Sequence, residues 1–233
     1  MAVILNIETS GSVCSAALTA EGTVIAHRED FNGRNHATML SGFIKHCLDH
    51  AAEHEIKLDA VAVSMGPGSY TGLRIGLSEA KGLAYSLDIP LIGIDTLQLL
   101  ATRVMFSSDE ISPDTVFIPM IDARRMEVYT AAYDFGLQEM MKPQALILDD
   151  NSYEKLRLSG RPLLYFGSGA EKAQQVFTGC HNATYVPDVD AVAVDMIALS
   201  EMAFARRQFV DTAYSTPSYI KDFQATTPKN KVL

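Results

Sequence analysis

Two carboxylates and one glycine-rich turn are the residues of this chain best suited to chemistry. Glu8 closes an apolar run beginning at Val3, and Asp122 follows a second one, Thr115 to Ile121. Magnesium is held by one or two carboxylates together with phosphate oxygens. Glu8-Thr9-Ser10-Gly11 and Asp122-Ala123-Arg124-Arg125 are therefore candidate turns for a weakly held nucleotide, with no useful hydrolysis expected. The glycine turn is Met65-Gly66-Pro67-Gly68-Ser69-Tyr70-Thr71-Gly72-Leu73-Arg74. It follows the apolar run Ala60-Val61-Ala62-Val63 and opens a segment of helical composition. Such a turn brings several backbone N–H groups and the positive end of a helix to one point, which suits an anion. Gly66, Gly68, Ser69, Thr71 and Gly72 would line it. No lysine follows as in GxxxxGK[ST], and Arg74 is the nearest cation. A second reading stays open: a tight turn that lets a helix pack close to a sheet.

His46 and His50 are spaced i, i+4 and share a helix face, as a metal pair would. No HExxH glutamate lies between them, and they flank an apolar stripe where solvated histidines are common, so no metal is expected. Cys14, Cys47 and Cys180 are few and scattered, which points to buried thiols in a reducing compartment. The cytoplasm is the expected location. The net charge of -9 opposes a nucleic-acid backbone, and no basic stripe offsets it. Weak RNA contact is conceivable only along the tail, at Lys221, Lys229 and Lys231. No apolar stretch reaches the ~20 residues that span a bilayer, and the opening run is read as a first strand rather than a leader.

These residues need elements to position them. Val3 to Glu8, Ser12 to Thr19 and Thr23 to Glu29 read as three strands, the last two a hairpin around Ala20-Glu21-Gly22. Asn35 is the expected cap of a helix from His36 to about Glu53. A strand from Asp59 to Met65 precedes the glycine turn. Gly72 to Leu87 is a second helix, Leu91 to Ile94 a strand and Thr96 to Phe106 a third helix. The order then repeats in degenerate form. Strands are expected at Thr115 to Ile121, Glu127 to Tyr133 and Ala145 to Leu148. A short helix follows over Ser152 to Leu158, then a strand at Pro162 to Phe166, Gly167-Ser168-Gly169 and a helix over Ala170 to Phe177. Tyr185 to Asp188 and a last helix, Val192 to Arg207, complete it, with an extended tail from Ala213. The lobes would be 1–107 and 108–233. Two βββαβα halves, each with an acidic residue after its first strand, are the pattern of the actin/Hsp70/sugar-kinase (ASKHA) α/β fold.

The first two helices are the expected interaction surface. Met39, Leu40, Phe43, Ile44 and Cys47 make a broad apolar face. Leu73, Leu77 and Leu83 spread over several sides of the second helix, beside a row of small residues, Gly72, Gly76, Ala80 and Ala84. A mid-helix glycine costs about 1 kcal/mol against alanine, so Gly76 and Gly82 call for close approach of another backbone. On this reading Gly76→Leu should break partner binding and largely spare the fold.

Four segments resemble one family. They are Ile4-Leu5-Asn6-Ile7-Glu8-Thr9-Ser10, Gly66 to Gly76, Ile121-Asp122-Ala123-Arg124-Arg125-Met126-Glu127-Val128-Tyr129, and Pro217-Ser218-Tyr219-Ile220-Lys221. In this order they are similar to the TsaB (YeaZ) family, which takes part in making threonylcarbamoyladenosine in tRNA. The resemblance implies a non-catalytic partner of a TsaD-like transferase, with a TsaE-like ATPase as third member and tRNA met only through the complex. It also implies a homodimer when the chain is alone, formed through the first two helices. TsaD carries a metal-binding HxxxH after the strand that follows its glycine-loop helix. The same place here reads Ile94-Asp95-Thr96-Leu97-Gln98-Leu99 and holds no histidine. The rivals are an ATP-dependent phosphotransferase of the sugar-kinase type, disfavoured by the degenerate Glu8 turn, and a glycoprotease-type metallopeptidase.

Overall fold

The duplicated order of elements appears as two five-stranded sheets in a computed structural model that describes residues 2–33 and 35–221. The first sheet contains β1 (Val3–Glu8), β2 (Cys14–Ala20), β3 (Thr23–Asp30), β4 (Ala60–Gly66) and β5 (Leu91–Asp95) in the order β3-β2-β1-β4-β5. The second contains β6 (Val116–Asp122), β7 (Glu127–Tyr133), β8 (Glu139–Ile147), β9 (Leu163–Phe166) and β10 (Ala183–Val186) in the equivalent order β8-β7-β6-β9-β10. In each, the first three strands pair antiparallel and the last two join in parallel. This repeated topology is the ASKHA-like duplication.

Helices connect the strands. In the first half these are α1 (His36–Glu53), α2 (Tyr70–Leu87) and α3 (Thr96–Met105); in the second, α4 (Glu154–Arg157), α5 (Ala170–Ala173) and α6 (Ile197–Ala205). Strand alternation sorts the apolar residues into layers. Leu5, Ile7, Val61 and Val63 face α1 and α2, in a cluster with Leu40, Ile44 and Leu77. Ile4, Ala60 and Ala62 face the opposite way, into one cluster with Leu97 and Val104 of α3, Leu199 of α6 and Phe117 and Tyr133 of the second sheet. Val116, Ile118 and Met120 pack outward on α4 and α5. Five layers result, and the middle one belongs to both lobes.

Several boundaries differ from the sequence reading for identifiable reasons. β8 is nine residues long rather than four, because Pro143 sits on an edge strand, where a missing N–H costs no ladder bond. The last helix is broken: a 3₁₀ turn, Ala193–Met196, precedes α6. Asn35 contributes no side-chain cap; only its carbonyl accepts, from Thr38 N and Met39 N, both at 3.0 Å. α2 starts two residues early because Ser69 Oγ accepts from Gly72 N at 3.2 Å. The second lobe does not keep the segment that follows β10. Ala193 N donates to Ser15 Oγ at 2.9 Å and Val210 pairs with Leu91 of β5, so the chain returns to the first lobe. Lys229 and Lys231 lie outside the described residues.

Candidate functional site

Glu8 is fully buried at the end of β1. Its Oε1 accepts from Ser10 N at 2.5 Å, and among the described residues its Oε2 has no hydrogen-bond partner. Burial pushes the carboxyl above its usual range, and hydrogen bonds from Ser10, Ser64 and Thr9 only partly offset this. Asp122 is exposed and held differently. Its Oδ1 accepts from Arg124 N at 2.9 Å and takes an ion pair from Lys172. The expectation that these two carboxylates present oxygens to magnesium is therefore corrected: one is sealed from solvent, and the other is engaged by an ammonium.

The glycine turn is filled by the chain itself. A Cβ on Gly68 would strike Ser10 O, one on Gly72 would strike Thr9 O, and one on Gly76 would strike Thr9 Oγ1. Thr9 Oγ1 donates to Gly72 O at 2.8 Å, and Ser69 N donates to Ser10 O at 2.7 Å. Two donors that could have faced an anion are thus spent, Ser69 N on the Glu8-Thr9-Ser10 loop and Gly72 N on Ser69 Oγ. A Cβ on Gly66, whose φ is 106°, would lie 2.9 Å from Ser218 O. Arg74 turns away from the loop; its guanidinium lies 4.1 Å over the Tyr70 ring and its Nε donates to Tyr219 Oη at 3.1 Å. Close packing of helix on sheet is what these glycines serve.

The same contacts divide the expected interface residues. Leu40, Phe43, Ile44, Cys47, Leu73, Gly76, Leu77, Ala80 and Ala84 are buried against the chain's own first sheet. They cannot present surface to a partner, which corrects that part of the assignment. Met39 stays exposed and Leu83 half-buried. What faces outward is a second row of small residues on α2, Ser78, Gly82 and Ser86, at four-residue steps. On α1 they are matched by Ala37, Ser41 and Gly42. A groove of about 720 Å³ runs between the helices, lined by Ala37, Thr71, Ile75, Ser78, Gly82 and Leu83 among others. Ser41 Oγ bonds Glu79 Oε1 at 2.7 Å across it. A Cβ on Gly42 or Gly82 would meet nothing within 4 Å. Among the described residues nothing gives either glycine an internal reason.

Sequence reading missed the strap. Residues 210–221 run along one flank of α2, from the β5 edge to the glycine turn. Lys81 Nζ donates to Ala213 O at 3.0 Å and to Ser215 O at 2.7 Å. Ser218 N donates to Met65 O at 2.7 Å, the Tyr219 ring lies 5.3 Å from that of Tyr70, and Lys221 pairs with Glu127 of the second lobe. Only the buried Pro217 and the tyrosines mark this in the sequence. Where the resemblance places a histidine pair, Asp95 caps α3 by accepting from Gln98 N at 2.9 Å. Burial pushes its carboxyl up to about 6. The His50 ring lies 4.3 Å from that of His54, tilted by 30°. Among the described residues no three His, Cys, Asp or Glu side chains converge on a metal position. Arg124 and Arg125 are exposed, and Lys172 braces their turn.

The family model described as TsaD, tRNA N6-adenosine threonylcarbamoyltransferase, matches residues 29–150. The tRNA threonylcarbamoyladenosine biosynthesis protein TsaB of Bacillus subtilis is 35% identical over 175 residues, 74% of each chain. The protein of the same name from Escherichia coli is 28% identical over 225 residues, 94% of each. Among solved structures, YeaZ from Pseudomonas aeruginosa superposes with a TM-score of 0.77 at 24% identity, covering 94% of this chain and all of that one. A filled glycine turn, a helical face with unexplained outer glycines and relatives matched over most of their length lead to one assignment: the chain belongs to the TsaB (YeaZ) family.

Proposed function

We propose that this chain is the non-catalytic subunit of the machinery that makes threonylcarbamoyladenosine in tRNA. It docks a TsaD-like transferase through the outer face of α1 and α2, and the same face closes a homodimer when the chain is alone. A TsaE-like ATPase joins through the complex, and the reaction's groups reside on the partner. The observation that carries this reading is the pair Gly42 and Gly82: each weakens its helix, and each has open space above it. A small-residue ridge allows another helix to approach closely, and a stable interface buries roughly 800 Å² per partner. The phosphotransferase alternative fits poorly, because Glu8 is sealed and the glycine turn is filled by Thr9 and Ser10.

Co-elution of the purified chain with its TsaD-like partner tests the reading. Gly82→Leu should abolish co-elution while its urea midpoint stays at or slightly above that of the wild type. A folded Gly82→Leu chain that binds with unchanged affinity would place the interface elsewhere.

A further inference from the structure

The backbone of the turn carrying Arg124 and Arg125 is braced at several points, while the two side chains are exposed. Asp122 N donates to Ser168 Oγ at 3.1 Å, Glu127 N to Arg124 O at 3.2 Å, and Ala123 N to Glu127 O at 3.1 Å. Lys172 of α5 donates to Arg125 O at 2.9 Å and to Glu127 O at 2.5 Å, besides its ion pair with Asp122. Both arginines are left-handed, with φ of 69° and 50°, a conformation that side chains larger than asparagine seldom adopt and that is retained where the surroundings impose it. The neighbouring acids are already neutralised, Asp122 by Lys172 and Glu127 by Lys221. Among the described residues neither guanidinium has an ion pair or a hydrogen bond. A chain of net charge -9 thus holds two guanidiniums that no described residue compensates, adjacent in sequence on a braced turn.

We propose that the Arg124–Arg125 turn is a phosphate-contact site through which this chain touches the backbone of the tRNA bound by the complex. The inference rests on the functional reading above. Guanidinium forks match phosphate oxygens two at a time. Two such groups are far too few to hold RNA alone, but phosphate contacts are what set the register of a bound nucleic acid. Cations nearest the α1–α2 groove are occupied: Arg74 by Tyr70 and Tyr219, Lys81 by strap carbonyls, Lys45 by Asp49. The turn belongs to the second lobe, so RNA there leaves the helical face free for the transferase.

The test is a titration of labelled full-length tRNA into the intact complex of this chain with its transferase partner, repeated over a range of salt. Each phosphate contact contributes about 0.7–0.9 to the slope of log K against log salt. The double variant Arg124→Ala/Arg125→Ala should still co-elute with the partner, bind tRNA roughly tenfold more weakly and lose about 1.4–1.8 from that slope. Arg124→Lys/Arg125→Lys should retain most of the slope. An unchanged slope in the intact double-alanine complex overturns the proposal. So does loss of partner binding, which would assign the turn to an acidic protein surface. A wild-type complex that ignores tRNA overturns the functional reading and this inference together, so the two failures are distinguishable.

Discussion

The two halves share one strand order and use it in opposite ways. In the first, the carboxylate that ends the leading strand is shut inside, and Thr9 and Ser10 behind it fill the space over Gly68, Gly72 and Gly76. In the second, the equivalent Asp122 stays in solvent, and the turn after it projects two arginines. The first half covers its sheet with two helices of 18 residues each, whereas α4 and α5 have four residues apiece. A duplicated topology therefore specifies where turns and helices fall, but not whether a turn closes or stays open. Glycines allow close approach in both halves, Gly68, Gly72 and Gly76 to Thr9 and Ser10, Gly167 and Gly169 to Met120 and Ile121. What differs is the half-buried lysine under the second half's turn, which props it outward.

The sharpest way to break this comparison is to overfill the closed turn. Gly76→Leu should destabilise the chain by about 3 kcal/mol or more, or prevent folding, because its Cβ meets Thr9 within the core. Gly82→Leu on the outer row should be neutral or stabilising by up to about 1 kcal/mol. Equal losses in urea unfolding would erase the distinction between inner and outer rows. This reverses the sequence expectation that Gly76→Leu acts on a partner.

A smaller effect should follow from removing the prop. Lys172→Ala deletes an ion pair and two bonds to carbonyls, a loss of about 2 kcal/mol. It should also raise hydrogen exchange at Ala123 to Glu127. Lys45→Ala, which removes the exposed pair with Asp49, should change stability by less than about 0.5 kcal/mol. If both lysine variants behave alike, Lys172 is an ordinary surface residue.

The mildest test uses pH. Asp95 is raised from 3.8 to about 6 by burial, and Glu8 is raised for the same reason. Between those values for Asp95 the folded chain binds more protons than the unfolded one, so stability falls as pH rises from about 4 to about 6 and then levels off. The Asp95 contribution is at most about 3 kcal/mol. Asp95→Asn, which keeps a capping side chain for α3, should flatten this slope and raise the melting temperature near pH 7.5. An unchanged pH profile would show that the first lobe's buried acid sites are better solvated than their packing indicates.

Apolar periodicity and turn residues were enough to determine the two halves and the element order, because strand and helix periods are local properties of the chain; the family resemblance rested on four short segments read as they stand. They also marked the two helices whose outer face the proposed docking would use. The choice of residues within those helices was not legible. Gly76 and Gly82 look alike in sequence, and only the position of Thr9, far away in the chain, separates the glycine that packs inside from the one that faces out. The strap was equally hidden, since its hold depends on Lys81, Arg74 and Met65 O, none of which is near it in sequence. Arg124 and Arg125 were visible as charges, but their freedom from partners depends on Lys172 and Lys221 taking the neighbouring acids. The sequence determined which elements form; packing between residues distant in the chain decided which atoms remained available to anything outside it.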